Sequence, residues 1–426
     1  MQATQSELEL KGRAARAAAR RLAFLSTDVK NAALHNVAAA LLEREEEILA
    51  ANRQDVADGR AAGLEEAFLD RLLLTHERLA AMASDVRTIA ALPDPVGEEF
   101  DVRTLPNGLR VGRRRVPLGV IGTVYESRPN VTVDIACLCL KSGNAVILRG
   151  GKEALRSNLA LGRVVVDAVT AAGVPEGAVQ VVESPDRALV EEMLRLREYI
   201  DLMVPRGGAQ LIRYVAEHAA MPVIAGGIGV CHTYVDADAD VAMAVDVVHN
   251  AKTRRPSICN ALDTVLVHSQ VAPAFLPELA RRWAGAGVEL RCDRRAETIL
   301  AALDLPGLRV TSAAPEDFGK EFLALIAAVR VVDSLDEALE HIERYGSGHS
   351  EAIVTRDYGR AMRFLNEVDA AAVYVNASTQ FTDGGQFGLG AEVGISTGKF
   401  HARGPMGLRE LTTYKWVILG NGQTRP

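Results

Sequence analysis

Leu34, Val37, Ala38, Leu41 and Leu42 recur at i, i+3, i+4, i+7 and i+8, one apolar stripe along a helix. Arg and Glu populate the other faces. This period predicts a packed, outwardly solvated helical layer over residues 6–92, with no chemistry of its own. At 101–118 the pattern changes. Asn107-Gly108 between two extended runs is a hairpin turn signal, flanked by Arg103, Arg110, Arg113, Arg114 and Arg115. A solvated or intersubunit hairpin accounts for these arginines better than an anion site does.

From 119 onward short apolar runs alternate with amphipathic segments. Strands are expected at 119–125, 144–149, 178–182, 201–205 and 222–227, and helices at 131–141, 153–172, 186–196 and 207–219. That alternation predicts βαβ units and a parallel sheet, with ligands at the carboxyl ends of its strands. A second block repeats it, with strands at 232–236, 263–268, 288–292, 329–334, 351–355 and 372–376. The two blocks predict two α/β domains facing a cleft. The tail 406–420 ends in a strand-like run with no evident partner in either block.

Composition narrows the class. At 426 residues the chain is long enough for two to three domains. Its 48% hydrophobic and 24% charged residues exclude bulk disorder, and 5% aromatics leave the core to aliphatic side chains. A net charge of −7 argues against nucleic-acid binding by bulk charge, but leaves room for a local basic pocket. The N-terminus has no apolar leader core, and no stretch is apolar enough to span a membrane. The five cysteines are odd in number and form no CxxC, so a disulfide framework or zinc ribbon is disfavoured and a reducing cytoplasm is expected.

No GxGxxG, GxxxxGK[ST], GxSxG or HExxH occurs, and the histidines lack metal-ligand spacing. The strongest chemical candidate is Cys259, in a polar segment behind Lys252, Arg254 and Arg255. Nearby cations raise the thiolate fraction of a cysteine; the alternative is a small buried hydrophobe. Gly150-Gly151, Gly207-Gly208 and Gly226-Gly227 each follow a predicted strand, where glycines either serve the turn or let backbone N–H groups approach a phosphate. His349 reads as a general acid/base or as a satisfied loop histidine. The loop 381–405, with Lys399, His401 and Arg403, reads as a closing loop over an anion or as a connector.

Together, residues 116–134, 141–158, 204–212, 257–264, 345–355 and 387–416 resemble the gamma-glutamyl phosphate reductase family of the aldehyde dehydrogenase superfamily. The resemblance runs in order from about residue 8 to about residue 420. It implies an α/β, aldehyde dehydrogenase-like fold: a modified Rossmann cofactor domain, an α/β catalytic domain and a small β oligomerisation element. The boundaries it implies are 1–101 for the helical layer and start of the cofactor domain, 102–118 for the oligomerisation hairpin and 119–231 for the cofactor domain. The catalytic domain would then span 232–366, the chain would return to the cofactor domain over 367–395, and 396–426 would supply the C-terminal oligomerisation strand.

The implied reaction is NADPH-dependent reduction of L-glutamate 5-phosphate to the 5-semialdehyde in proline biosynthesis, through a thioester on Cys259. The resemblance implies a cytoplasmic homo-oligomer, coupled to the glutamate 5-kinase that supplies the substrate. It places Arg149, Lys152 and Ser157 at the adenosine side of the cofactor, Gly207 and Gly208 at the pyrophosphate and Glu316 at a ribose. Asn130 is the implied oxyanion donor, with Arg128 competing for that place. Arg128, Arg254, Arg255, His349, Lys399 and Arg403 are the implied substrate contacts. One departure matters. Hydrolytic members of the superfamily carry a general-base glutamate where this chain has Ile224, and without that base phosphate competes with water for the thioester. The alternatives are a hydrolytic aldehyde dehydrogenase on another small aldehyde, which Ile224 argues against, and a non-catalytic nucleotide-binding protein, which Cys259, the glycine turns and Glu316 argue against.

Overall fold

The computed structural model describes residues 6–224, 226 and 228–425, without the side chain of Ala67. The chain forms two compact units: the described residues within Met1–Gly226, Gly388–Gly394 and Met406–Pro426, and those within Gly227–Phe387 and Ile395–Pro405.

The first unit opens with α1 (Glu7–Leu22), α2 (Thr27–Glu43), α3 (Glu45–Ala61), α4 (Glu66–Leu72) and α5 (His76–Ala91). Ser6, Ser26 and Thr75 cap α1, α2 and α5 by accepting from the third helical N–H, satisfying donors that would otherwise be orphaned. The predicted stripe of α2 is its buried face: Leu34, Val37, Ala38 and Leu41 have no exposed surface. Beyond the hairpin strands β1 (Glu99–Thr104) and β2 (Arg110–Pro117) come β3 (Val120–Tyr125), α6 (Asn130–Lys141), β4 (Ala145–Arg149), α7 (Leu155–Ala171), β5 (Val179–Val181), α8 (Ala188–Arg195), β6 (Leu202–Arg206) and α9 (Ala209–His218). The last four strands form a parallel sheet in the order β5-β4-β3-β6. Every residue of β3 and β4 is buried, which is why they read as continuous apolar runs.

The fifth strand expected at 222–227 does not form. Pro222 has no N–H to give a ladder, and only an isolated bridge, Met203 to Val223, continues the sheet. Ala225 and Gly227 of that expected strand lie outside the described residues.

The second unit is a seven-stranded, all-parallel sheet. Its strands are β7 (Cys231–Val235), β8 (Leu262–His268), β9 (Glu289–Cys292), β10 (Arg309–Ser312), β11 (Ile326–Val332), β12 (Ser350–Val354) and β13 (Ala372–Val375), in the order β10-β9-β11-β8-β7-β12-β13. The helices are α10 (Val241–Thr253), α11 (Ala272–Ala286), α12 (Arg294–Leu300), α13 (Leu335–Tyr345) and α14 (Tyr358–Glu367). Alternate residues of the strands feed two cores. Val265 and Val267 pack with Phe275 and Trp283 of α11; Leu266, Tyr234 and Ile353 pack with Ile342 of α13 and Phe364 of α14. Sequence reading missed β10, a short edge strand with three exposed residues in four and hence no apolar signal.

The return to the first unit comes later than expected. Residues 372–375 pair with β12 as the edge of the second sheet, and only Gly388–Gly394 of the 367–395 span goes back. The paired segments β14 (Ile395–Ser396) and β15 (Gly404–Pro405) also stay with the second unit. The tail strand β16 (Thr412–Leu419) has its partner within this chain: it runs antiparallel to β2 from Thr412 opposite Pro117 to Leu419 opposite Arg110, completing a three-stranded sheet β1-β2-β16.

Candidate active site

Cys259 lies in the turn at 256–260 that feeds β8 and is partly exposed. Cys137, Cys139, Cys231 and Cys292 are buried, and none of the five is in a disulfide. Burial raises all four buried thiols, Cys292 to about 12, so they stay neutral at physiological pH.

The turn is clamped from several elements. Gln380 donates through Nε2 to the carbonyls of Ala251 (3.0 Å) and Arg255 (3.2 Å). Buried Asn260 donates to the carbonyls of Gln380 (3.3 Å) and Thr382 (3.0 Å), and its own carbonyl accepts from Thr379 (2.7 Å). The thiol of Cys231, at the start of β7, donates to the Cys259 carbonyl at 3.2 Å. Nothing local marks Asn260, Gln380 or Cys231, because their partners lie 28 to 129 residues away.

Arg254 and Arg255 flank the turn and are exposed, Arg254 donating to Gln380 Oε1 at 3.3 Å. Lys252, the third of the cations before Cys259, is held differently. It is fully buried; its Nζ donates to the Leu262 carbonyl (2.8 Å) and pairs with Asp263 (3.5 Å). Burial lowers the lysine's proton affinity and raises that of Asp263 to about 6, the other charge opposing each shift.

Of the expected substrate contacts, His349 is corrected, and Lys399 and Arg403 are found in an ion pair. His349 is 1% exposed, and its Nδ1 bonds to the Ser350 hydroxyl at 2.8 Å. Burial pushes it down to about 4, so it is a neutral core histidine rather than a cation at a substrate anion. Lys399 and Arg403 are both committed to Asp369, whose carboxyl they hold at about 2, Arg403 contributing most. They fasten the 395–405 segment within its own unit.

Glu316 is exposed because its neighbours anchor the motif: Asp317 accepts from Arg291 (2.6 Å) and from the Ala314 N–H (2.9 Å), and Phe318 packs edge-on against His341 at 5.4 Å.

In the first unit, Gly208 caps α9 and donates its N–H to Glu126 Oε2 at 2.8 Å. A Cβ on Gly207 would lie 2.7 Å from that same carboxylate. The bare backbone turn thus presents an N–H at a helix N-terminus, which here donates to a carboxylate. Arg149 is nearly buried, and its guanidinium donates to the carbonyls of Gly150 (3.1 Å), Pro185 (3.1 Å) and Asp186 (3.4 Å). It fastens the loop after β5. Lys152, one turn on, is exposed. Ser157 is corrected: its hydroxyl donates to Asp55 (2.7 Å) and accepts from Asn52 (3.0 Å), and with no exposed surface it is out of a ligand's reach.

Asn130 opens α6 after the exposed Arg128, and its Nδ2 donates to Asp134 at 2.8 Å. Burial raises Asp134 to about 6, against an ordinary value of 3.8. The folded chain therefore holds this proton more tightly than the unfolded chain. Its contribution to stability is complete at pH below about 4 and is lost as pH rises through about 6. Asp134→Asn should flatten the fall in melting temperature over that window; unchanged slopes would place the titration elsewhere.

The model of the aldehyde dehydrogenase family matches residues 1–298 and 316–417. The chain belongs to the aldehyde dehydrogenase family. It is 59% identical over 419 residues to the gamma-glutamyl phosphate reductase of Dehalococcoides mccartyi strain 195, covering 98% of each chain. It is 59% identical over 422 residues to that of Roseiflexus castenholzii, covering 99% of this chain and 100% of the other. The crystal structure of gamma-glutamyl phosphate reductase from Thermotoga maritima superposes with a TM-score of 0.96 at 48% identity, covering 99% and 100%. At this identity along nearly the whole chain, the protein falls within the gamma-glutamyl phosphate reductase branch of that family. An acetylating aldehyde dehydrogenase from Geobacillus thermoglucosidasius, at 18% identity and a TM-score of 0.68, shares the fold.

Proposed function

We propose that this protein reduces L-glutamate 5-phosphate to L-glutamate 5-semialdehyde with release of phosphate, using NADPH, as a step towards proline. The observation that carries the reading is Cys259: the one cysteine not buried, on a clamped turn, in a chain 59% identical to reductases of that name.

A free carboxylate resists nucleophiles, whereas an acyl phosphate has a good leaving group. The Cys259 thiolate attacks the acyl carbon, the C–O bond to phosphate breaks, and a thioester remains. Bound NADPH supplies hydride to that acyl carbon. Hydride addition leaves the thiohemiacetal as its oxyanion, which re-forms the carbonyl as the C–S bond breaks, and aldehyde and thiolate part. The hydrolytic alternative is not favoured, since Ile224 is a buried aliphatic side chain and offers water no base. The reverse reaction, run with and without inorganic phosphate, tests the reading.

The anion-accepting turn at Gly207 and Gly208 fits the cofactor's pyrophosphate, and exposed Glu316 fits a ribose diol. For the 2′-phosphate that separates NADPH from NADH, exposed Lys152 is the better reader, because Arg149 is occupied by backbone carbonyls. A charge-assisted hydrogen bond contributes about 1.5–3 kcal/mol. Lys152→Ala should therefore raise the KM for NADPH roughly tenfold or more and leave that for NADH near its original value. Equal effects on the two cofactors would remove Lys152 from this role.

The sheet β1-β2-β16 is proposed as the contact between copies of the chain. It exposes Tyr414, Trp416, Ile418 and Leu419, with the Arg113 guanidinium 4.7 Å from both the Tyr414 and Trp416 rings. Among the described residues no helix is long and apolar enough to cross a membrane. A cytoplasmic location, with substrate passed on by a glutamate 5-kinase, is proposed from the biosynthetic role.

A further inference from the structure

Gly229 precedes β7 and is buried directly against the backbone of Cys259. A Cβ built on it would stand 1.6 Å from the Cys259 carbonyl oxygen, 2.5 Å from its carbon and 2.8 Å from the Cys259 Cα. No side chain fits there. The glycine is the wall on which the Cys259 backbone rests, and whatever holds Gly229 also places Cys259.

That holder is a carboxylate. The Gly229 N–H donates to Glu321 Oε1 at 3.0 Å. Glu321 sits in the segment leading to β11, which is itself docked from below: the next residue, Phe322, donates its N–H to Asp263 Oδ1 at 3.1 Å. Asp263 is the partner of buried Lys252, and Lys252 Nζ lies 5.8 Å from the centre of the Phe322 ring. On the far side of Gly229, the Val230 N–H donates to Ser347 at 2.9 Å and the Cys231 thiol donates to the Cys259 carbonyl. Lys252 and Asp263 thus fix the Glu321 segment, Glu321 fixes Gly229, and Gly229 and Cys231 together seat the carbonyl of Cys259. Glu321 is half-buried, and burial raises its carboxyl while the hydrogen bond from the Gly229 N–H opposes that rise.

We propose that Glu321 is a positioning residue for Cys259, acting through its hydrogen bond from the Gly229 N–H. It need not touch substrate. Its role is to keep the nucleophile within the few tenths of an ångström over which attack on an acyl carbon is efficient. The proposal rests on the reading of Cys259 as nucleophile, and it separates two properties of the side chain: the acceptor atom, which glutamine retains, and the charge, which glutamine lacks.

The test compares Glu321→Gln and Glu321→Ala with the unaltered enzyme. The readouts are kcat, the KM for NADPH, and the rate at which iodoacetamide alkylates Cys259, followed by mass spectrometry. Alanine should lower kcat by about tenfold or more, leave the KM for NADPH within about twofold, and change the alkylation rate of Cys259. Glutamine should restore both kcat and alkylation to within about threefold of the unaltered enzyme. Two results overturn the proposal: an alanine variant with kcat near the original, or a glutamine variant that falls as far as alanine, which would make the charge and not the acceptor responsible. Should Glu321→Ala fail to fold, Glu321→Asp replaces it. Aspartate keeps the charge but draws the acceptor back by one carbon–carbon bond, and it is read against glutamine in the same way. Failure of the nucleophile reading itself shows separately, as turnover retained by Cys259→Ala.

Discussion

Cys259→Ala should lower turnover by at least about a hundredfold while NADPH binding stays near normal. The structure makes this a clean substitution. The Cys231 thiol and Gly229 both meet the backbone of residue 259 on its carbonyl side. Removing Sγ leaves these backbone contacts in place and takes away the proposed nucleophile. No second thiol substitutes for it, since the other four are buried and held neutral. Cys137→Ala is the matching control: a core thiol whose loss affects stability alone. Titrating NADPH into the Cys259→Ala protein by fluorescence and measuring steady-state reduction decide the matter. Turnover above about a hundredth of the original would exclude covalent catalysis at this position.

Oxidation of L-glutamate 5-semialdehyde by NADP⁺ should require inorganic phosphate and yield the acyl phosphate. The thioester on Cys259 has two exits, phosphate and water. Water needs a base to compete, and general-base assistance is worth about 10²–10⁴-fold. Ile224 is 5% exposed, with its backbone N–H bound to the Met203 carbonyl at 2.9 Å, and its side chain accepts no proton. NADPH formation should accordingly rise from near zero as phosphate is added, with arsenate replacing phosphate. Undiminished oxidation in phosphate-free buffer would mean that water attacks unaided, and the hydrolytic assignment would then replace the acyl-phosphate one.

Lys152, Asp134 and Glu321 test separate functions: cofactor choice, a buried proton, and the seat of the nucleophile. Each has a readout the others do not move. In particular, the melting-temperature slope expected of Asp134→Asn lies at acid pH and leaves the KM for NADPH unaffected.

The elements were legible because their causes are local. A 3.6-residue apolar period buries one face of α2, Asn107-Gly108 allows the turn from β1 to β2, and unbroken aliphatic runs become strands covered on both faces. Cys259 was legible as well, by its polar, cation-bearing context and by the family resemblance of its segment, although Lys252 proved to be a buried partner of Asp263. Individual site roles were harder, because a side chain's partner is chosen by the fold. Ser157 looks like a ligand hydroxyl until Asp55, 102 residues earlier, takes it. His349 looks titratable until burial strips its solvent, and nothing near Lys399 and Arg403 in the sequence shows that both pair with Asp369. Gly229 and Glu321, 92 residues apart, carry no local signal at all. What the sequence determined by itself was therefore most of the elements and their order, with β10 and the missing strand at 222–227 as the exceptions, and a candidate nucleophile at Cys259, since hydrophobic period and turn chemistry act between near neighbours. Which polar groups remain open to a ligand was decided only by tertiary structure, because desolvation and hydrogen-bond pairing depend on groups that meet only after the chain has closed.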